Sequence, residues 1–301
     1  MRNFLTQHAA ELHQGGIRMF FDAARQYKNV INLGIGEPDF DTPDEIIQES
    51  CRCMELGATH YTANAGDLSV RRAVELYLKK YDVYYDAETQ IIMTCGGMGA
   101  VSMSLLCTVS AGDEVLVPDP AWLNYISQIN FIGATAVPVP TYEEDAFALT
   151  PENIERLITP RSKVLIINCP CNPTGATMTK MQLEAIAEIA KKHDLLVISD
   201  EVYCELLYDD QKHISIASLP NMRERTIVIN SFSKSFAMTG WRLGFAAGPE
   251  AIISKMIVLQ ENLISCAPAP SQAAGKFALE TMCGLEEMRK TYEVRRNLMV
   301  D

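Results

Sequence analysis

A chain of 301 residues can hold one large or two ordinary domains around a substantial core, and 48% hydrophobic against 21% charged residues is the balance of a soluble globular protein. The net charge of −12 argues against a nucleic-acid partner, whose phosphates call for a basic face. No apolar run is long enough to span a bilayer, and the opening Met1-Arg-Asn-Phe-Leu-Thr-Gln-His has no signal-peptide core, so no membrane partner and a cytoplasmic location are expected.

In chain order, short apolar runs alternate with longer amphipathic ones. Strands are predicted at Ile91 to Thr94, Glu114 to Val117, Thr135 to Val139, Lys163 to Asn168, Leu195 to Ser199, Thr226 to Asn230 and Leu243 to Ala247. Helices are predicted at Leu68 to Tyr81, Gly99 to Val109, Lys180 to His193, Pro249 to Asn262, Ser271 to Met282 and Leu285 to Val300. Such alternation predicts an α/β fold, a mostly parallel central sheet with helices on both faces.

The nine cysteines are scattered and odd in number, and most have apolar neighbours, as Cys107 and Cys204 do. Buried, reduced thiols are expected. The pairs Cys51/Cys53 and Cys169/Cys171 lack zinc-finger spacing, so no metal is assigned.

The unusual polar residues gather after strands. Gly97 follows the first, Trp122 the second, Asn172 the fourth, Asp200 the fifth and Lys234 the sixth. In open α/β sheets, ligands bind in the crevice beyond the carboxyl ends of the strands. Each residue alone has a plain reading. Asp200 is a helix cap or ion-pair partner, Trp122 a core aromatic, and Asn172-Pro-Thr-Gly a turn. A lone lysine is usually a solvated surface residue. Lys234, however, stands between the hydroxyls of Ser231 and Ser233 and the guanidinium of Arg242. Amine, hydroxyls and arginine together suit a phosphorylated aldehyde.

The run Ser231-Phe-Ser-Lys-Ser-Phe-Ala-Met-Thr-Gly-Trp-Arg242, preceded by Asn172-Pro-Thr-Gly and Asp200-Glu-Val-Tyr203, closely resembles the class I and II aminotransferases, fold-type I enzymes that use pyridoxal 5′-phosphate. The resemblance extends from about Ile31 to the end of the chain. It implies that Lys234 carries the cofactor as an imine and that Asp200 keeps the pyridine nitrogen protonated. By the same resemblance Asn172 and Tyr203 bond the ring's phenolic oxygen, and Trp122 stacks on the ring. Glycines opening a helix let backbone amides approach an anion, so Gly96, Gly97 and the Met98 amide are assigned to the cofactor phosphate, with Ser231, Ser233 and Arg242 beside them. Asn32-Leu-Gly-Ile-Gly36-Glu-Pro-Asp-Phe resembles the family's substrate loop, where Gly36, with Trp122 and Asn172, meets the substrate. Tyr61, in His60-Tyr-Thr-Ala-Asn-Ala-Gly, matches a tyrosine that reaches the neighbouring subunit's phosphate, which implies a homodimer. The bonds Asp119-Pro120 and Asn172-Pro173 are expected to be cis, as in relatives.

The implied reaction moves an amino group between an L-amino acid and a 2-oxo acid. The implied organisation is an N-terminal arm and substrate loop (1–44), a large cofactor domain (45–283) and the start of a C-terminal small domain (284–301), with the carboxylate-binding arginine beyond the end of a truncated chain. A C–S β-lyase using the same cofactor, or a non-catalytic effector-binding domain of this fold, remains open on sequence alone, and a nicotinamide dehydrogenase is a distant third.

Overall fold

A strand covered by helices on both faces needs apolar side chains at consecutive positions, and this chain supplies them. The computed structural model describes residues 36–300 continuously and, before them, Phe4, Leu5, Ala24, Tyr27, residues 29–31 and Gly34. The chain divides into two compact units, residues 1–39 and 40–301. In the second, seven strands form one sheet: β1 Ile91–Thr94, β2 Glu114–Asp119, β3 Thr135–Pro140, β4 Ser162–Asn168, β5 Leu196–Asp200, β6 Thr226–Ser231 and β7 Gly244–Ala247. Their order across the sheet is β1-β7-β6-β5-β4-β2-β3. Strands β2 to β6 pair in parallel, and β7 runs antiparallel to both β6 and β1. Two reversals cancel, so β1 points the same way as β6. Six carboxyl ends therefore share one edge.

Among the described residues, ten α-helices flank the sheet: α1 Asp44–Glu55, α2 Leu68–Lys79, α3 Gly96–Thr108, α4 Asn124–Phe131, α5 Pro151–Leu157, α6 Lys180–Lys192, α7 Phe232–Ser235, α8 Glu250–Leu263, α9 Ala269–Thr281 and α10 Leu285–Val300. Successive strand residues point to opposite faces. Ile92, Val115, Val117, Val164, Ile166, Ile198, Ile227 and Ile229 pack on one face with Val101 of α3, Ile129 of α4 and Ile253 of α8. Met93, Val228 and Phe245 turn to α2 and α9, while Leu165, Ile167 and Val197 turn to α6. The alternation also settles where the strand ends point. Asn168 shares a face with Ile166, Asp200 with Ile198, and Ser231 with Ile229. All three turn toward the layer of α3, α4 and α8.

Helices α1, α4, α5 and the four-residue α7 go beyond the predicted set. In α1 only Ile46 and Ser50 are buried, so its apolar stripe is thin. Helix α4 has eight residues, and α5 has seven behind the Thr150 cap and Pro151 at its first position, a readable start signal on a very short helix. Helix α3 begins at Gly96 rather than Gly99, which puts the glycines inside its first turn. No described helix is long and apolar enough to cross a membrane.

Candidate active site

The sheet register assembles the first half of the site. Thr94 of β1 and Ser231 of β6 both pair with Gly244 of β7, one from each side. The turn into α3 therefore lies over the start of β7. A Cβ on Gly244 would stand 2.6 Å from the Gly96 carbonyl carbon and the Gly97 nitrogen, so only glycine lets the backbones approach this closely. Gly96 itself has φ +73°, and a Cβ there would come within 2.7 Å of Arg242 Nη2; one on Gly97 would meet Ser231 Cβ at 3.4 Å. The first amides of α3 have no intrahelical acceptor and carry the positive end of a 13-residue helix. Around that terminus stand Ser231, Ser233 and Arg242. The Ser231 hydroxyl donates to the Leu243 carbonyl at 3.1 Å and lies 2.9 Å from Ser233 Oγ. Exposed Arg242 donates through Nη1 to the Thr239 carbonyl at 3.0 Å.

Lys234 lies on α7, capped by Ser231, whose hydroxyl accepts from the Ser233 amide at 3.2 Å. Phe232, Ser233, Ser235 and Phe236 around it are buried, while Lys234 is half-buried.

The second half is a buried polar cluster. Asp200 ends β5, and its Oδ2 accepts from the Tyr125 hydroxyl at 2.5 Å, while Oδ1 accepts from the Val202 amide at 3.2 Å. Burial pushes the Asp200 carboxyl up to about 6, with Tyr125 and the Val202 amide opposing that rise and Glu201 adding to it. Asn168, paired with Asp200 in the ladder, donates Nδ2 to the Asp200 carbonyl at 3.1 Å and accepts the Asn172 amide on Oδ1 at 2.7 Å. Asn172 Nδ2 in turn reaches the Tyr203 hydroxyl at 3.5 Å. Burial lifts the Tyr203 phenol to about 12, with Asp200 adding to the rise and Asn172 opposing it. Trp122 is half-buried and meets the Tyr125 ring edge-on, centroids 5.2 Å apart at 86°. The bonds Asp119-Pro120 and Asn172-Pro173 are cis as expected, and Cys169-Pro170 is cis as well.

Most of the residues singled out in the sequence thus stand at one edge of the second unit. Met98 is exposed on the first turn of α3. Tyr61 stands apart, 86% exposed on the segment between α1 and α2. Gly36 belongs to the first unit, where it is exposed, and a Cβ added to it would meet nothing within 4 Å. In its predicted loop, Asn32, Leu33 and Ile35 lie outside the described residues. Sequence reading missed Tyr125, Asn168 and Gly244. Tyr125 carried a signal of its own, three residues after Trp122 and so on the same side of any helix built there.

The model of the family described as aminotransferase class I and II matches residues 28–301. An aspartate aminotransferase of Pyrococcus abyssi is 46% identical over 94% of this chain and 74% of its own length. An aromatic-amino-acid aminotransferase of Thermococcus litoralis is 45% identical over the same shares, 94% and 74%. The crystal structure of an aromatic aminotransferase from Pyrococcus horikoshii superposes with a TM-score of 0.88 at 46% identity, covering 92% of this chain and 76% of that one. The chain belongs to the aminotransferase class I and II family. It is a pyridoxal-phosphate-dependent aminotransferase, an enzyme whose substrates are amino and 2-oxo acids, and it spans about three quarters of the length of these relatives.

The residues present fit that cofactor. The cradle that Cβ atoms on Gly96 and Gly97 would fill, the α3 terminus and Arg242 suit a phosphate dianion. At the other end, a buried carboxylate suits a cationic ring nitrogen.

Proposed function

We propose that Lys234 is both the residue that anchors the cofactor and the base of the reaction. Bound pyridoxal phosphate supplies an electron sink for the carbanion left when the substrate loses its α-proton. Lys234 Nζ would take the α-proton, a transfer that needs the amine within hydrogen-bond reach of the α-carbon. Asp200 holds a proton on the ring nitrogen, while Asn172 and Tyr203 hold the phenolic oxygen. Trp122 covers the ring face and, with Asn172, meets the substrate. The amides of Gly96, Gly97 and Met98 with Ser231, Ser233 and Arg242 hold the phosphate. What carries this reading is the buried Asp200 carboxylate standing at the same sheet edge as Lys234 and the start of α3.

Tyr61 is assigned to the partner's phosphate in a homodimer. It is exposed, yet its loop is fixed: Gln272 Nε2 donates to Thr62 Oγ1 at 3.0 Å, and Gln260 Nε2 donates to the Asn64 carbonyl. Its exposed ring is open to contact with a second copy. Residues 45–283 are read as the cofactor domain, 1–44 as the arm and substrate loop, and 284–301 as the start of the small domain. The nine free thiols suit a reducing, cytoplasmic compartment. The substrates are proposed to be aspartate or an aromatic amino acid with a 2-oxo acid acceptor, as the relatives' names suggest. Assays of aspartate, phenylalanine and tyrosine with 2-oxoglutarate test this directly. No turnover with any of them, from protein that binds the cofactor, would remove the substrate proposal.

A further inference from the structure

Tyr125 is the best-placed residue that the proposed reaction does not use. Its side chain is 1% exposed, its hydroxyl lies 2.5 Å from Asp200 Oδ2, and its ring braces Trp122 edge-on. Both contacts come from one position on the first turn of α4, where the Tyr125 amide also donates to the Trp122 carbonyl at 3.1 Å. We propose that Tyr125 is a positioning residue: through one hydroxyl and one ring edge it fixes the Asp200 carboxylate and the Trp122 platform relative to each other, and it keeps Asp200 in the charged form that the cofactor ring nitrogen requires.

A buried carboxylate left alone in an apolar layer takes up a proton rather than stay charged. Phenol donation to an oxygen favours the anion, because a neutral carboxyl gains less from accepting that bond. The remaining polar groups around Asp200 give the charge less support. Glu201, next in sequence, opposes the charge, and the Val202 amide supports it at the longer distance of 3.2 Å. Tyr203 and Cys171 stand near enough to feel Asp200 or Tyr125, and Asn168 engages only the Asp200 backbone carbonyl. The short bond from Tyr125 is the strongest support the charge receives. Tyr125 itself stays protonated, since burial and then Asp200 push its phenol well above the ordinary range.

This inference rests on the assignment of Asp200 to the ring nitrogen, so the test includes a variant of each. Cofactor dissociation constants are measured from about pH 5 to 8.5, by quenching of tryptophan fluorescence, for the wild-type apoprotein, Tyr125→Phe and Asp200→Asn. Loss of a hydrogen bond to a charged group is expected to weaken binding by Tyr125→Phe about ten- to hundredfold at neutral pH. Without the donor, Asp200 protonates at higher pH, so the midpoint at which acid weakens binding should move up by about one pH unit. Turnover should fall with KM for the amino acid nearly unchanged. Tyr125→His keeps a ring N–H donor, and its midpoint should lie between those of the Phe variant and wild type. If Asp200→Asn weakens binding while Tyr125→Phe and Tyr125→His keep the wild-type pH curve, Tyr125 does not govern the Asp200 charge and the proposal is overturned. If Asp200→Asn itself binds as tightly as wild type at every pH, the assignment of Asp200 has failed, and the proposal with it.

Discussion

The two ends of the proposed cofactor site are built by opposite means. At the phosphate end the chain supplies backbone and empty space: a helix terminus, glycines at positions 96, 97 and 244, and an exposed arginine. At the ring end it supplies buried polar side chains, with Asp200, Asn168 and Tyr125 all inside. The first end adds little burden to the fold, since it brings no charged side chain into the core. The second end carries a charge into an apolar layer and depends on its hydrogen bonds to keep it there. Steric changes should therefore break the phosphate end, and nearly isosteric ones should break the ring end.

Lys234, between the two, gives the largest expected effect. Lys234→Ala should lower turnover by roughly 10⁴-fold or more while thermal unfolding stays within a few degrees of wild type. Turnover close to wild type would remove the lysine from both of its proposed roles.

Gly244→Ala is next, and it acts on folding. Its Cβ would press on the Gly96 and Gly97 backbone at 2.6 Å, and backbone cannot step aside as a flexible side chain can. A loss of about 3 kcal/mol or more is expected in chemical denaturation. A stability equal to wild type would mean that β7 and α3 have room between them for a methyl group.

Asp200→Asn should have opposite effects on the two states of the protein. Cofactor binding is expected to weaken strongly. The apoprotein, however, should become more stable. Burial raises the folded-state carboxyl from the ordinary 3.8 to about 6, so folding opposes ionisation. That cost is absent below about pH 4, grows as pH rises toward about 6, and is fully present above it, at about 3 kcal/mol. Denaturation of the two apoproteins at about pH 4 and about pH 7.5 checks the sign. A wild-type advantage that grows with pH would contradict it.

Gly96→Ala should be the mildest of these changes. A left-handed φ of +73° costs an alanine about 1 kcal/mol, and the methyl group would displace Arg242 from the cradle. A roughly tenfold weaker affinity for pyridoxal phosphate is expected, with affinity for phosphate-free pyridoxal unchanged. An equal loss for both ligands would place the damage outside the phosphate end.

The sequence showed the two ends unequally. Lys234, Asp200, Asn172 and Trp122 were legible because each follows a strand, and strand ends can be read from apolar runs. The parallel sheet was legible for the same reason. The direction of β7 was not, since the run at Gly244–Ala247 looks alike in either sense and only pairing with β1 and β6 decides it. Gly244 mattered through Gly96 and Gly97, neighbours from far earlier in the chain. Asn168 closed an expected strand with no sign that it would hold both Asp200 and Asn172. Tyr125 was one aromatic in an eight-residue helix with no strong periodicity of its own. Residues assigned to the cofactor are marked by their type and position. Those that hold them, apart from the spacing of Tyr125 from Trp122, are marked only by tertiary contact.

The most direct test of the central claim is borohydride reduction of the protein loaded with pyridoxal phosphate, followed by peptide mapping. A pyridoxyl group on the peptide containing Lys234, with loss of the visible absorbance of the bound cofactor, is the expected result. A label on another lysine, or tight binding with no covalent label, would contradict the assignment of Lys234 on which both halves of the site converge.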